Sequence, residues 1–369
     1  MRIVFAAGGT GGHVNPAIAA AGEIRDRYPD SEILFIGTKD KIEANLVPKA
    51  GFEFKTISIS GFHRKLTIKN IGRNITTLCR FIQSSAAVKG ILKEFKPDAV
   101  IGFGGYVSGP VVRTAARMGI KTAIHEQNAF PGVANKMLAK HVDAVMLNLP
   151  EAKDRLQCKN EPIVTGIPVR NEILRIDRDF AKAELGLDDK PLILSFGGSL
   201  GANGINTAMV NLIAELHNTG KCNFIHGYGQ SKWVPDTLLE KGVDIENEKG
   251  VDVREYIYDM DKCLAASDII ICRSGASTLA EIETVGRASI LIPSPNVTEN
   301  HQYYNAMALV NNNAARVIEE KDLTDERLLA LVNELLDDDA QREEIGRNAN
   351  KMSVTDAQDR ICDVIISLV

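Results

Sequence analysis

The chain opens with an apolar run, Arg2-Ile3-Val4-Phe5-Ala6-Ala7, that feeds directly into Gly8-Gly9-Thr10-Gly11-Gly12-His13-Val14-Asn15-Pro16. A buried strand that ends in glycines and then starts a helix presents backbone N–H groups at the positive end of a helix dipole. Such a junction suits an anion, and residues without a Cβ let a phosphate or a sugar reach the main chain. His13 is the one residue of the loop able to exchange a proton near neutral pH, so the loop suggests both binding and chemistry. A tight strand-to-helix turn with a hydrogen-bonded histidine would use the same residues.

The loop departs from two phosphate motifs. A dinucleotide fingerprint counted from Gly9 and Gly11 has Val14 where the third glycine allows close helix packing. The nucleoside-triphosphate loop is missing, because the nearest Gly-Lys pair, Gly220-Lys221, is followed by Cys222. Nicotinamide enzymes and nucleoside triphosphatases are therefore disfavoured.

Short β-branched runs recur between longer helical stretches, at Ile33–Ile36, Ala99–Ile101, Thr122–Ile124 and Ala144–Leu147. Continuous apolar strands separated by helices predict an α/β doubly wound parallel sheet covered on both faces. The pattern restarts at Pro191-Leu192-Ile193-Leu194-Ser195-Phe196 and enters a second glycine loop, Gly197 to Gly204. We therefore expect two similar domains with ligands bound between them, and 369 residues at 44% hydrophobic content supply two cores. The linker is expected around Thr165-Gly166-Ile167-Pro168-Val169-Arg170, and Ile361, Val364, Ile365 and Leu368 form one face of a last helix.

A net charge of −5 argues against nucleic-acid binding, although it can conceal a local basic face. The six cysteines, Cys79, Cys158, Cys222, Cys263, Cys272 and Cys362, lack C-x-x-C spacing and indicate neither disulfides nor zinc. With no leader pattern and no apolar stretch of spanning length, a cytoplasmic location is expected.

Further polar clusters follow strands, where open α/β sheets bind ligands. Gly102-Phe103-Gly104-Gly105-Tyr106-Val107-Ser108-Gly109-Pro110 should share a crevice with the Gly8 loop; Gly104, Gly105 and Tyr106 are its acceptor-binding candidates. His125-Glu126-Gln127-Asn128 comes next. In the second half, Arg273 to Glu281 offers small residues at a helix start for a diphosphate, with Glu281 in reach of a ribose. Helix capping by Ser277 or Thr278 would explain the same residues. Pro293 to Ala306 adds a proline turn with amide and imidazole groups suited to sugar hydroxyls.

Taken in order, the Gly8 loop, Gly102–Pro110, His125–Asn128, Thr165–Arg170, Gly197–Ala202, Cys272–Glu281 and His301–Ala306 closely resemble the motif set of the MurG family. These are the UDP-N-acetylglucosamine:lipid I N-acetylglucosaminyltransferases of bacterial peptidoglycan synthesis. The resemblance spans nearly the whole chain. It implies a GT-B fold with two Rossmann-like domains facing a cleft, residues 1–167 on the acceptor and membrane side and 168–349 binding the UDP-sugar. A C-terminal helix, 350–369, is expected to pack back on the first domain.

Position by position, the resemblance implies that Thr10, Gly11, Gly12 and Asn128 lie near the donor sugar and that Arg170 and Ser199 approach the diphosphate. It assigns the Ile257 backbone to the uracil, Ala276, Ser277 and Thr278 to the diphosphate-binding helix start, Glu281 to the ribose and Gln302 to a sugar hydroxyl. Some members carry Gln-Gln where this chain has His301-Gln302, so His301 receives no role.

The implied reaction transfers N-acetylglucosamine to the C4 hydroxyl of the muramyl sugar on undecaprenyl diphosphate. By analogy with inverting glycosidases, inversion needs one base on the acceptor hydroxyl and a stabilised leaving group on the opposite face. His13 is the first candidate base and Glu126 the second. No metal or cofactor is expected, although Asp177-Arg178-Asp179 and Asp259-Met260-Asp261 match D-x-D by pattern.

Between Gly61 and Pro97, basic Arg64, Lys65, Lys69, Arg73, Arg80, Lys89, Lys93 and Lys96 outnumber the single acid Glu94 and alternate with apolar residues. That suits peripheral attachment to an anionic membrane surface at the inner face of the cell membrane, with cell-wall or division proteins as candidate partners. The alternative functions are a related GT-B transferase acting on another lipid, such as diacylglycerol, and a non-catalytic nucleotide-sugar binding protein.

Overall fold

The computed structural model describes residues 1–59, 84–170 and 172–369. They form two compact units, Met1–Pro168 with Asp356–Val369 and Val169–Thr355.

The first unit holds seven strands: β1 (Arg2–Ala6), β2 (Glu32–Gly37), β3 (Glu53–Thr56), β4 (Ala99–Gly102), β5 (Lys121–Glu126), β6 (Ala144–Leu147) and β7 (Ile163–Val164). They pair in the order β3-β2-β1-β4-β5-β6-β7, every pair parallel. Strand β1 is apolar from Ile3 onward because both faces are covered there. Val4 and Ala6 join Leu34, Ile36 and Val100 in one core, whereas Ile3 and Phe5 join Phe35, Ile101 and Phe103 in the other. Phe5 stacks on Phe35 with ring centroids 5.2 Å apart.

The last helix, Ala357–Ile366, belongs to this unit. Ile361, Cys362 and Ile365 are fully buried in the Phe5 core, where each isoleucine contributes roughly 1.5–3 kcal/mol. Arg27 donates to Asp363 at 2.9 Å and also pairs with Asp359. The returning segment is shorter than the expected 350–369. Residues up to Thr355 stay with the second unit because the helix Asp339–Met352 crosses it at Gly346, where a Cβ would fall 2.3 Å from the Gly286 carbonyl oxygen.

The second unit contains β8 (Leu192–Phe196), β9 (Asn223–Gly227), β10 (Val251–Arg254), β11 (Ile269–Cys272), β12 (Ala288–Leu291) and β13 (Arg316–Val317), all parallel in the order β10-β9-β8-β11-β12-β13. Strand β9 is buried yet carries polar residues. Asn223 donates to Asp188 at 2.7 Å, and His226 Nδ1 lies 2.8 Å from the Ser195 hydroxyl. In each sheet the strand order reverses once, between β1 and β4 and between β8 and β11. Loops leaving those strands flank the crevice where doubly wound sheets bind ligands.

Cys222, Cys263, Cys272 and Cys362 are buried and Cys158 half-buried, all as free thiols. Among the described residues no helix is long and apolar enough to cross a membrane.

Candidate active site

At the reversal point of the first sheet, the Gly8 loop leaves β1 and the helix Gly11–Arg27 begins. Thr10 is its N-cap residue, with extended backbone, but its hydroxyl makes no capping bond and instead lies 3.1 Å from His13 Nδ1. The first turn carries no acid, so the amides of Gly11 and Gly12 present the positive end of the dipole. His13 Nδ1 is also 3.2 Å from the Gly8 carbonyl. A carbonyl can only accept, so in the tautomer that bonds Gly8 the proton sits on Nδ1 and Nε2 is the basic nitrogen.

The loop after β4 closes on this one. Gly104 and Gly105 have φ of +95° and +76°. A Cβ on Gly105 would fall 2.1 Å from the Gly8 carbonyl oxygen, and one on Gly104 would fall 2.6 Å from His13 Cδ2. Main chain therefore packs on main chain, and an imidazole edge lies over Gly104. Tyr106, next in sequence, is 62% exposed.

Two buried carboxylates fasten these loops. Glu43 Oε2 accepts from the Gly9 amide at 3.0 Å, while Oε1 accepts from the Thr38 amide and hydroxyl at 3.1 and 2.7 Å. Glu126 Oε1 accepts from the amide and side chain of Asn128 at 2.9 and 3.2 Å; Oε2 accepts from the Gly132 amide and Asn135 at 3.0 and 2.8 Å. Burial raises the Glu126 pKa, and these bonds oppose the rise. With four donors on its two oxygens, Glu126 holds the loop that carries Asn128 and is poorly placed as a base.

In the second unit, the helix Ala276–Val285 starts after Gly275 with no side-chain cap, so Ser277 and Thr278 do not serve as caps. The N–H groups of Ala276, Ser277 and Thr278 thus meet the conditions for an anion site. Arg170 reaches the same helix, pairing with Glu281, whose pKa burial raises and Arg170 lowers. Ser199 is exposed in the loop after β8. A Cβ on Gly201 would fall 2.2 Å from the Tyr228 carbonyl oxygen, so this loop and the one after β9 touch through backbone. The Ile257 side chain is buried against Gly227.

Before the helix His301–Val310, Glu299 and Asn300 both adopt left-handed backbone, at φ +56° and +52°. Such strain clusters at ligand sites. Gln302 Oε1 accepts from the Ser294 amide at 2.8 Å, which closes the Pro293 turn. His301 Nδ1 lies 2.8 Å from the Thr298 carbonyl, and burial lowers its pKa.

The chain matches the glycosyltransferase family 28 N-terminal domain over residues 3–147 and the C-terminal domain over 192–361. It is 44% identical, over 100% of both chains, to the UDP-N-acetylglucosamine–N-acetylmuramyl-(pentapeptide) pyrophosphoryl-undecaprenol N-acetylglucosamine transferase of Thermoanaerobacter sp. strain X514. The transferase of that name from Acetivibrio thermocellus is 41% identical, covering 99% of this chain and 97% of its own. A crystal structure of Acinetobacter baumannii MurG is 28% identical, with TM-score 0.81 over 99% of each chain. The chain belongs to the MurG family.

Its fold is accordingly GT-B, built from two Rossmann-like units. Of the MurG-family motif residues, Thr10, Gly11, Gly12, His13, Gly104, Gly105, Tyr106, Glu126 and Asn128 gather at the carboxyl ends of β1, β4 and β5. Ser199, Ile257, Ala276, Ser277, Thr278, Glu281 and Gln302 follow strands of the second sheet, and Arg170 joins them through Glu281. Sequence reading passes over Glu43, since a glutamate in a short helix after β2 carries no motif. It also passes over Arg273, which donates to the Ile292 and Pro293 carbonyls at 3.1 and 3.2 Å.

One aspartate of each D-x-D pair has a structural partner. Asp177 caps the helix Arg178–Glu184, and Asp259 accepts from Arg254 at 2.6 Å. Among the described residues no three His, Cys, Asp or Glu side chains form a group that could hold a metal. Of the basic stretch, Arg64, Lys65, Lys69, Arg73 and Arg80 lie outside the described residues.

Proposed function

We propose that this chain transfers N-acetylglucosamine from UDP-N-acetylglucosamine to the C4 hydroxyl of the muramyl sugar carried on undecaprenyl diphosphate, with inversion at the anomeric carbon. The likeness to transferases of that printed name over the full chain supports the substrates. The observation that carries the chemistry is the His13 ring, held through Nδ1 by the Gly8 carbonyl at the reversal point of the first sheet.

In this reading Nε2 takes the proton of the C4 hydroxyl as its oxygen bonds to the anomeric carbon. The bond from that carbon to the UDP oxygen breaks, and the leaving diphosphate collects charge. The uncapped start of Ala276–Val285 and the guanidinium of Arg170 stabilise that charge. Residues 1–167 then serve the acceptor and 168–349 the donor. Glu281 and Gln302 receive ribose and sugar hydroxyls, while Thr10, Gly11, Gly12 and Asn128 border the transferred sugar.

The lipid on the acceptor requires work at a membrane surface, and the basic, apolar stretch between Gly61 and Pro97 supports an attachment that is partly electrostatic. Replacing Lys65, Lys69 and Arg73 by Glu should reduce sedimentation with anionic vesicles and spare turnover of a short-chain soluble acceptor.

The decisive experiment offers a panel of acceptors, polyprenyl-diphosphate muramyl sugars and diacylglycerol, with UDP-N-acetylglucosamine and follows UDP release. Release with only the muramyl acceptors supports this reading. Release with diacylglycerol points to the related lipid transferase, and binding of donor without release points to a non-catalytic protein.

A further inference from the structure

Behind the His13 ring runs a buried polar chain with no direct part in the transfer. Gln127, 3% exposed, donates from Nε2 to the Phe103 carbonyl at 2.8 Å and to His125 Nδ1 at 3.2 Å. An imidazole nitrogen that accepts bears no proton, so His125 carries its proton on Nε2 and donates it to the Gly166 carbonyl at 2.8 Å. Burial lowers the His125 pKa to about 4, which keeps the ring neutral and this pattern intact through neutral pH. The ring also stacks on Phe103, with centroids 5.1 Å apart.

With both amide hydrogens used inward, Gln127 presents its oxygen to the opposite side. That oxygen lies 3.4 Å from the point a Gly104 Cβ would occupy, and His13 Nε2 lies 2.9 Å from the same point. The amide oxygen and the imidazole edge therefore border the same point beside the Gly104 Cα.

We propose that Gln127 is a positioning residue for His13. Its amide, oriented by neutral His125, holds the Phe103–Gly104 turn against the imidazole and keeps the negative end of its dipole on the side of the turn where that ring lies. The His13 imidazolium is thereby stabilised as it forms. The same chain ends at Gly166, two residues before the last residue of the first unit's main segment, Pro168, so the backbone there is fixed to the site through His125. The inference rests on His13 as the base.

The test uses the full chain with Gln127→Met and Gln127→Glu, measuring kcat, the acidic limb of kcat/KM, UDP affinity and thermal melting. The described titratable groups on the neighbouring elements, Glu43, His125 and Glu126, keep their identities in both variants, and of the three only His125 loses a bond, the one from Gln127 to its Nδ1. Both variants should lose kcat, by about 10- to 100-fold, as for a base displaced by a fraction of an ångström. Gln127→Met should move the acidic limb to lower pH, because the dipole that favours imidazolium is gone. Gln127→Glu should move it to higher pH, because a carboxylate favours imidazolium more.

A limb that stays in place in both variants, with only a lower melting temperature, would overturn the proposal. If Gln127→Glu does not fold, the Gln127→Met limb decides alone. In the unsubstituted chain, imidazole nitrogen NMR should show His125 neutral with its proton on Nε2; a proton on Nδ1 would reverse the amide and overturn the proposal whatever the variants do. His13→Ala separates the two levels. Near-native kcat and an intact limb there refute the base itself, whereas loss of the limb there beside unmoved Gln127 variants refutes only the positioning role.

Discussion

Arg170 donates from Nε and Nη2 to a single oxygen of Glu281, at 3.0 and 2.8 Å. The two residues lie 111 positions apart, and family resemblance assigns them to different parts of one nucleotide, the diphosphate and the ribose. Under the proposed function their bond makes the two subsites interdependent. Burial favours the protonated form of Glu281 and the guanidinium opposes it, so Arg170 keeps the carboxylate ready to accept hydroxyl hydrogens.

Glu281→Ala should weaken UDP binding by roughly 1.5–3 kcal/mol, the range for charge-assisted hydrogen bonds. Arg170→Ala should weaken it too and add a pH dependence. Without the guanidinium, Glu281 protonates at higher pH, so the variant should lose affinity in mildly acidic buffer where the parent chain still binds. Calorimetric titrations with UDP, paired with thermal melts, check both. An unchanged dissociation constant in Glu281→Ala would remove the ribose role.

His13→Ala should lower kcat by roughly 10²–10⁴-fold and leave UDP affinity unchanged. The acidic limb of kcat/KM should vanish with it. A loss confined to KM or to thermal stability would instead mark a sugar ligand or a structural residue.

The neighbouring glycines should respond differently to the same added methyl group. At Gly105 the Cβ meets the Gly8 carbonyl oxygen, backbone against backbone, so Gly105→Ala should destabilise the chain by more than about 2 kcal/mol. At Gly104 it meets the His13 ring, which can swing aside, so Gly104→Ala should instead reduce kcat, by about 100-fold for an imidazole displaced by about 1 Å. Denaturant melts and initial rates on the two variants separate these outcomes.

Acid should destabilise both units through one buried histidine in each. His125 and His226 are fully buried, and burial lowers the pKa of each from 6.5 to about 4. Between those values the unfolded chain binds protons that the folded chain does not, so stability is complete above about pH 6.5 and falls as the pH drops toward about 4. The loss reaches on the order of 3 kcal/mol per histidine. Urea unfolding over that range checks the slope, and a flat profile would mean that the rings are not held neutral.

Strands β1, β2, β4, β6, β8, β11 and β12, the Thr122–Ile124 stretch of β5 and both glycine loops are legible in the chain because a parallel strand covered on both faces is largely apolar. Their order implies doubly wound sheets, and glycines after a strand mark where ligands approach. Strands β3, β7, β10 and β13 carry no comparable signal, since each mixes apolar with polar or exposed residues. Strand β9 hides for another reason: Asn223 and His226 look like loop residues until Asp188 and Ser195 satisfy them.

For the site, sequence supplies identities and tertiary structure supplies roles. His125-Glu126-Gln127-Asn128 reads as one polar cluster, yet only folding turns Glu126 and Gln127 inward to hold loops. Glu43 becomes part of the Gly8 loop only because β1 and β2 are neighbours, and nothing local in its short helix signals this. Local sequence determined where the chain bends and which residues could take a proton or bind a phosphate, because those are properties of single residues and their nearest neighbours. That Glu43 is consumed in anchoring Gly9, 34 positions away, and that Gln127 reaches the Phe103 carbonyl, 24 positions away, depends on partners far along the chain, and only the packed sheet brings those partners together.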